Sequence, residues 1–116
     1  MAAGVYIGGN WYEGSGPRFE NTCPATGEKV WEGNAAGPDD VTAAINSARK
    51  AFEHWSRLPQ GDRTAVMERY AEEIAKRTDA IATTISRDMG KVLWETRAEA
   101  ATMKAKVAVS IAAQNE

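Results

Sequence analysis

One cysteine, Cys23, and one histidine, His54, are all that this 116-residue chain holds of two residue types much used in catalysis. A lone cysteine cannot close an internal disulfide, so a reducing, cytoplasmic setting is expected. No charge sign dominates, with 14 Lys and Arg against 16 Asp and Glu. The clustered basic face that phosphates call for is therefore not expected, and neither is a nucleic-acid partner. Long apolar runs are missing too. Nothing approaches the roughly 20 consecutive apolar residues of a membrane span, so no membrane partner is expected either. The opening "MAAGVYIGGNW" has no basic region and no long apolar stretch, and it does not read as a secretory signal peptide. What is present is the length of one domain, with 43% hydrophobic residues to build a core.

The chain divides by composition into residues 1–36 and 38–116. In the first part, Val5-Tyr6-Ile7 precedes Gly8-Gly9-Asn10 and then Trp11-Tyr12. Gly and Asn accept the positive φ of a tight hairpin turn, which predicts two short antiparallel strands. "GSGP" reads as a loop. "RFEN" and "KVWEGNA" read as a second strand pair joined by "PATGE", with Pro24 at the first turn position and Gly27 in a left-handed one.

From Pro38 the period becomes helical. Val41, Ala44, Ile45, Ala48, Ala51, Phe52 and Trp55 form one stripe. Pro38 suits a first helical position, and Asp39 and Asp40 face the positive end of the dipole. Leu58-Pro59 separates this helix from a second, whose Val66, Tyr70, Ile74, Ile81 and Ile85 lie near one face. Thr78-Asp79 allows a break there, with Thr78 as a cap. Gly90 ends the helix, with Arg87 in its last turn. A third main helix starts near Leu93. From Val107 to Ala113 it is small and apolar on every side except Ser110. Such a helix needs cover all round, more than two preceding helices and four short strands supply. The expectation is a chain that opens a longer protein. Left uncovered, this helix would make the chain self-associate and bind hydrophobic dyes.

Several residues invite a catalytic reading and are better explained otherwise. Cys23 precedes Pro24 in a turn with no His near in sequence, which fits a structural thiol rather than an activated one. His54 sits at a helix end, where it meets the dipole. "GGN" and "GSG" lack the strand–G-x-G-x-x-G–helix context of a phosphate cradle. "MGK" lacks the upstream glycine and the following Ser or Thr of a P-loop. Glu72-Glu73 read as a solvated face. The four tryptophans read as core anchors.

The ordered set "YIGGNW…RFENTCPATGEKVWEG", "DDVTAAINSARKAFEHWSRLPQGDRTAVMERYAEEIAKR" and "ISRDMGKVLWETRAEAATM" resembles the opening of the aldehyde dehydrogenase superfamily over essentially the whole chain. "WEGN", "GKVLWE" and "KVAVSI" look most like the branch that oxidises a succinylated glutamate semialdehyde in arginine breakdown. The resemblance implies an α/β fold, with hairpins followed by three helices packed on a cofactor-binding domain. It implies an NAD(P)-dependent, cytoplasmic, homo-oligomeric enzyme acting on a small-molecule aldehyde, with NAD as the cofactor named for it. The family's nucleophilic cysteine, general base and Gly-rich cofactor segment lie beyond the region matched here, so no catalytic or cofactor-binding residue is assigned. Cys23 stands where the family usually has Asn, a departure from its "N-P-A-T-G" turn. Two roles carry over by motif position. The Thr22 carbonyl and the Asp88 carboxylate would donate to a structural monovalent cation, and Met103 would face the substrate entrance. The competing reading is a stand-alone α+β interaction module that uses the small-residue helix to bind a partner.

Overall fold

A computed structural model describes residues 4–114. Its elements run in the order β1 (Val5–Ile7), β2 (Asn10–Tyr12), β3 (Arg18–Thr22), β4 (Lys29–Asn34), α1 (Pro38–Trp55), α2 (Gln60–Lys76), α3 (Thr78–Met89) and α4 (Leu93–Gln114). They group into two compact units. A hairpin unit extends to Thr22 and resumes over Gly27–Arg57, and a helical unit takes Cys23–Thr26 and the chain from Leu58 onward.

In the hairpin unit β1 pairs antiparallel with β2, and β3 with β4. The tight turns fall on residues able to make them: Gly8 and Gly9 have φ of 60° and 90°, and Gly27 has 73°. Side chains pair across both ribbons. Tyr6 and Trp11 meet at 5.1 Å between ring centroids, and Phe19 and Trp31 at 4.6 Å. Arg18, Lys29, Glu20 and Glu32 form a charged ladder across β3 and β4, with Arg18–Glu32 at 3.0 Å and Lys29–Glu20 at 3.2 Å. Helix α1 follows, N-capped by Gly37 with Pro38 in its first turn. Its apolar stripe is amphipathic as expected, yet none of its residues is buried.

The helical unit holds the core. Ile74 of α2, Ala82 of α3, and Ala100 and Val107 of α4 are buried, as is Cys23 in its turn. Thr96 is fully buried among them, and its hydroxyl donates to the Leu93 carbonyl 3.1 Å away. Small residues on α4 allow the helices to approach closely.

The break allowed at Thr78-Asp79 is present, and two expectations need correction. The second main helix runs as α2 and α3. Arg77, at φ −113° and ψ 11°, leaves the helical region between α2 and α3. Thr78 does not cap α3; its hydroxyl donates backwards to the Ala75 carbonyl at 3.0 Å. Nor are the tryptophans core anchors. Trp11 and Trp94 are 66% and 74% exposed, and Trp31 is held by a ring contact at the surface of a two-stranded ribbon too thin to bury it.

Candidate functional site

The quoted motifs acquire geometry at the end of α3. Gly90 closes that helix in the left-handed region, at φ 67°. A Cβ there would lie 3.0 Å from Pro24 Cγ and 3.1 Å from the Ala25 nitrogen. The "CPAT" turn thus packs directly on the "MGK" corner, and glycine is needed at 90 both for its φ and for this contact. The corner is tied further by the Ser86 hydroxyl, which donates to the Lys91 carbonyl at 2.6 Å. Lys91 Nζ reaches Glu99 at 2.5 Å. That carboxylate raises the Lys91 pKa. "MGK" is a helix terminator, as its missing P-loop residues suggested.

The candidate site residues stand on different elements. Thr22 ends β3, exposed and opposite Lys29, just past a register shift between Asn21 and Thr22. Asp88 lies exposed in the last turn of α3, in the other unit, and is engaged in interactions of its own. Met103 stands on α4, 42% exposed. Cys23 is 7% exposed, closed into its turn rather than presented to a substrate. His54 lies in the last turn of α1, and its carbonyl accepts from the Arg57 N–H at 3.1 Å. Among the described residues no three His, Cys, Asp or Glu side chains gather to hold a metal.

The "GSG" stretch turns out to be a steric device, which the sequence alone does not reveal. A Cβ on Gly14 would fall 2.3 Å from the Ala35 carbonyl oxygen, and one on Gly37 would fall 2.4 Å from Ser15 Oγ. The loop is pressed against the start of α1, and Gly16 leads through Pro17 into a strand, not a helix. The start of α1 already holds an anion of its own. One Asp40 oxygen accepts from the Ser15 N–H at 2.8 Å, the Ser15 hydroxyl at 2.7 Å and the Gly37 N–H at 2.8 Å. The Ser15 and Gly37 amides, then the hydroxyl, hold the Asp40 carboxyl below its ordinary value. This helix start is therefore satisfied from within and does not fit a cofactor phosphate.

The sequence profile described as "Aldehyde dehydrogenase family" matches residues 11–116. The chain belongs to the aldehyde dehydrogenase family. It is 50% identical over 112 residues to N-succinylglutamate 5-semialdehyde dehydrogenase of Paraburkholderia xenovorans (strain LB400), covering 97% of this chain and 23% of that enzyme. Among solved structures, HpcC from Thermus thermophilus superposes with a TM-score of 0.90 at 30% identity, over 96% of this chain and 22% of that one. The NAD-dependent benzaldehyde dehydrogenase from Corynebacterium glutamicum gives 0.86 at 26% identity, over 96% and 26%. The chain thus spans about a quarter of the length of these aldehyde dehydrogenases and corresponds to their N-terminal segment.

A groove of about 760 Å³ lies between α2 and α4 of this aldehyde dehydrogenase segment. Ala101, Ala105, Ala108 and Ala112 recur along one face of α4, all exposed to it, while Glu68 and Glu72 of α2 stand on the other side. It contains no nucleophile–base pair, and its lining is mostly apolar. Its chemistry suits packing rather than catalysis.

Proposed function

We propose that this chain is the opening scaffold of an aldehyde dehydrogenase that oxidises N-succinylglutamate 5-semialdehyde to N-succinylglutamate in arginine catabolism. The reaction takes up one water and transfers a hydride to NAD. The observation that carries the reading is the 50% identity, sustained over 97% of the chain, to an enzyme of that name. Hydride transfer belongs to the nicotinamide, and the rest of the polypeptide is proposed to hold it, since no glycine segment here forms a strand–loop–helix cradle. Cys23, buried in its turn, takes no part in the chemistry. The proposal places the enzyme in the cytoplasm as a homo-oligomer. It also keeps Met103 at the substrate entrance, and Thr22 and Asp88 as oxygen donors to a structural monovalent cation. A carbonyl and a carboxylate suit a hard cation, but hard cations take about six oxygens, so further donors must come from elsewhere.

The test is a graft. The matching segment of the Paraburkholderia xenovorans enzyme is replaced by this chain, and a second graft is made into the Corynebacterium glutamicum benzaldehyde dehydrogenase. The first graft is expected to reduce NAD with N-succinylglutamate 5-semialdehyde at near the parent rate, and the second to lose most benzaldehyde turnover. A first graft that folds like its parent yet is inert would overturn the proposal. So would equal performance of the two grafts.

A further inference from the structure

We infer that Lys106 sets substrate preference: its ammonium receives a carboxylate of the aldehyde at the entrance where Met103 stands, a role that rests on the proposed activity. N-succinylglutamate 5-semialdehyde carries its aldehyde at one end. Its α-carboxylate and the free carboxylate of the succinyl group lie away from that end. Both are ionised at neutral pH, well above the ordinary carboxylate value of about 4. The aldehyde enters first, so the carboxylates trail at the mouth of the site. Stripping water from a carboxylate that finds no partner is costly, and a cation at the mouth offsets that cost with a charge-assisted hydrogen bond.

Helix α4 has three cations, and two of them have acids at hand. Arg97 pairs with Asp79 at 3.0 Å. Lys104 lines the α2–α4 groove together with Glu68 and Glu72. Helical spacing puts Lys106 on the other flank of the buried Thr96, Ala100 and Val107. There it is exposed and takes part in no salt bridge among the described residues. Nothing acidic lies three or four residues from it along the helix; those positions hold Thr102, Met103, Val109 and Ser110. Met103 is therefore its neighbour one turn back on the same flank. Glu99, one turn before Met103, is already held by Lys91. The flank thus sets one uncompensated positive charge beside Met103. It stays polar further on as well: Ser110, the polar residue of the otherwise apolar 107–113 run, follows Lys106 by one turn. A lysine stem can lie along an apolar neighbour such as Met103 and present its ammonium to an incoming anion.

The test uses the graft of this chain into the Paraburkholderia xenovorans enzyme, with N-succinylglutamate 5-semialdehyde and uncharged pentanal as paired substrates. The readout is the ratio of kcat/KM for the two. Lys106→Met removes the charge and keeps an unbranched stem of near-equal helix propensity, so the helix persists. The ratio is expected to fall by on the order of tenfold or more, as for the loss of one hydrogen bond to a charged group. The fall should lie in KM for the dicarboxylate rather than in kcat. Lys106→Arg, which keeps the cation, should retain most of the preference, and Lys104→Met, on the groove flank, all of it. An unchanged ratio in Lys106→Met overturns the inference. So does a Lys106→Arg graft as poor as Lys106→Met, which would point to side-chain shape, or an equal fall in Lys104→Met, which would point to the general charge of α4. A folded graft inert toward both aldehydes overturns the activity proposal, and titration calorimetry with N-succinylglutamate then decides on Lys106. A Kd weakened about tenfold in Lys106→Met upholds the site. An equal Kd, or no binding to either graft, sinks it.

Discussion

Among the described residues, those buried in the hairpin unit are Gly14 and Gly37, while the buried hydrophobic ones, Cys23, Ile74, Ala82, Ala100 and Val107, all belong to the helical unit. The hairpin unit has the larger side chains but leaves them outside: Tyr6, Trp11, Phe19 and Phe52 are each more than half exposed. Its order comes from backbone contact and polar ties, namely a loop pressed onto a helix start and a carboxylate with three donors. The helical unit is held in the ordinary way, by an apolar seam between α2, α3 and α4. Hydrophobic composition thus says little about where the core lies. Two strands cannot bury an aromatic, and three helices can bury an alanine completely.

Isoleucine provides the sharpest break of this comparison. Ile74 is 6% exposed and Ile45 is 50% exposed. Truncating a buried isoleucine to alanine costs about 2–5 kcal/mol, and Ile74→Ala is expected to fall in that range by urea unfolding. Ile45→Ala, with half its surface already wet, is expected to cost about 1 kcal/mol or less. A cost for Ile45→Ala as large as for Ile74→Ala would mean that the α1 stripe is covered in the working protein.

Glycine gives the next contrast, this time within the hairpin unit. Gly14→Ala forces a methyl to within 2.3 Å of a carbonyl oxygen that belongs to the backbone and cannot swing away. The expected cost is about 1–3 kcal/mol, as for overpacking. Gly27 has φ 73°, but open space surrounds its Cβ position. Gly27→Ala should cost only the conformational penalty, about 1–2 kcal/mol. Urea midpoints of the two variants measure the gap. If Gly14→Ala is as stable as the parent, the loop is not clamped as described.

Where the sequence was legible, the signal was local. Gly8-Gly9, Pro24, Gly27, Pro38 and Gly90 each announce a turn, start or stop through backbone chemistry, and each stands where it was expected. The family was legible for the same reason, since its motifs are punctuation between elements. Burial was not legible. The stripe on α1 and the stripe on α2–α3 have the same helical period, and only the folded unit decides which is covered. The Asp40 tie was half legible: a carboxylate in the first turn was expected, but Ser15, 25 residues earlier, had no signal in the sequence. The Gly90 contact with Pro24 and Ala25 likewise joins two motifs that look independent in the chain.

Asp40 yields the smallest and most local effect. Folding lowers its pKa, chiefly through the Ser15 and Gly37 amides, so the tie stabilises the hairpin unit fully above the ordinary carboxylate value of about 3.9. The contribution fades as pH falls through the lowered folded value. At neutral pH no titration of this group is expected. The amide proton shifts of Ser15 and Gly37, followed by NMR, should move together on acidification with one midpoint below about 3.9. In Asp40→Asn that step should vanish from both amides. The acid-side fall in the urea midpoint should persist, because Glu32 and Glu73, also lowered by their basic partners, still titrate. In the helical unit the Thr96 amide should show no such step, its N–H being bonded to the Val92 carbonyl at 3.3 Å rather than to a carboxylate. Ser15 and Gly37 amides that titrate with different midpoints, or with one at or above the ordinary value, would show that the carboxylate does not bridge them. The loop would then rest on its steric contact and on the backbone hydrogen bonds that join Gly16 and Pro17 to Ala35.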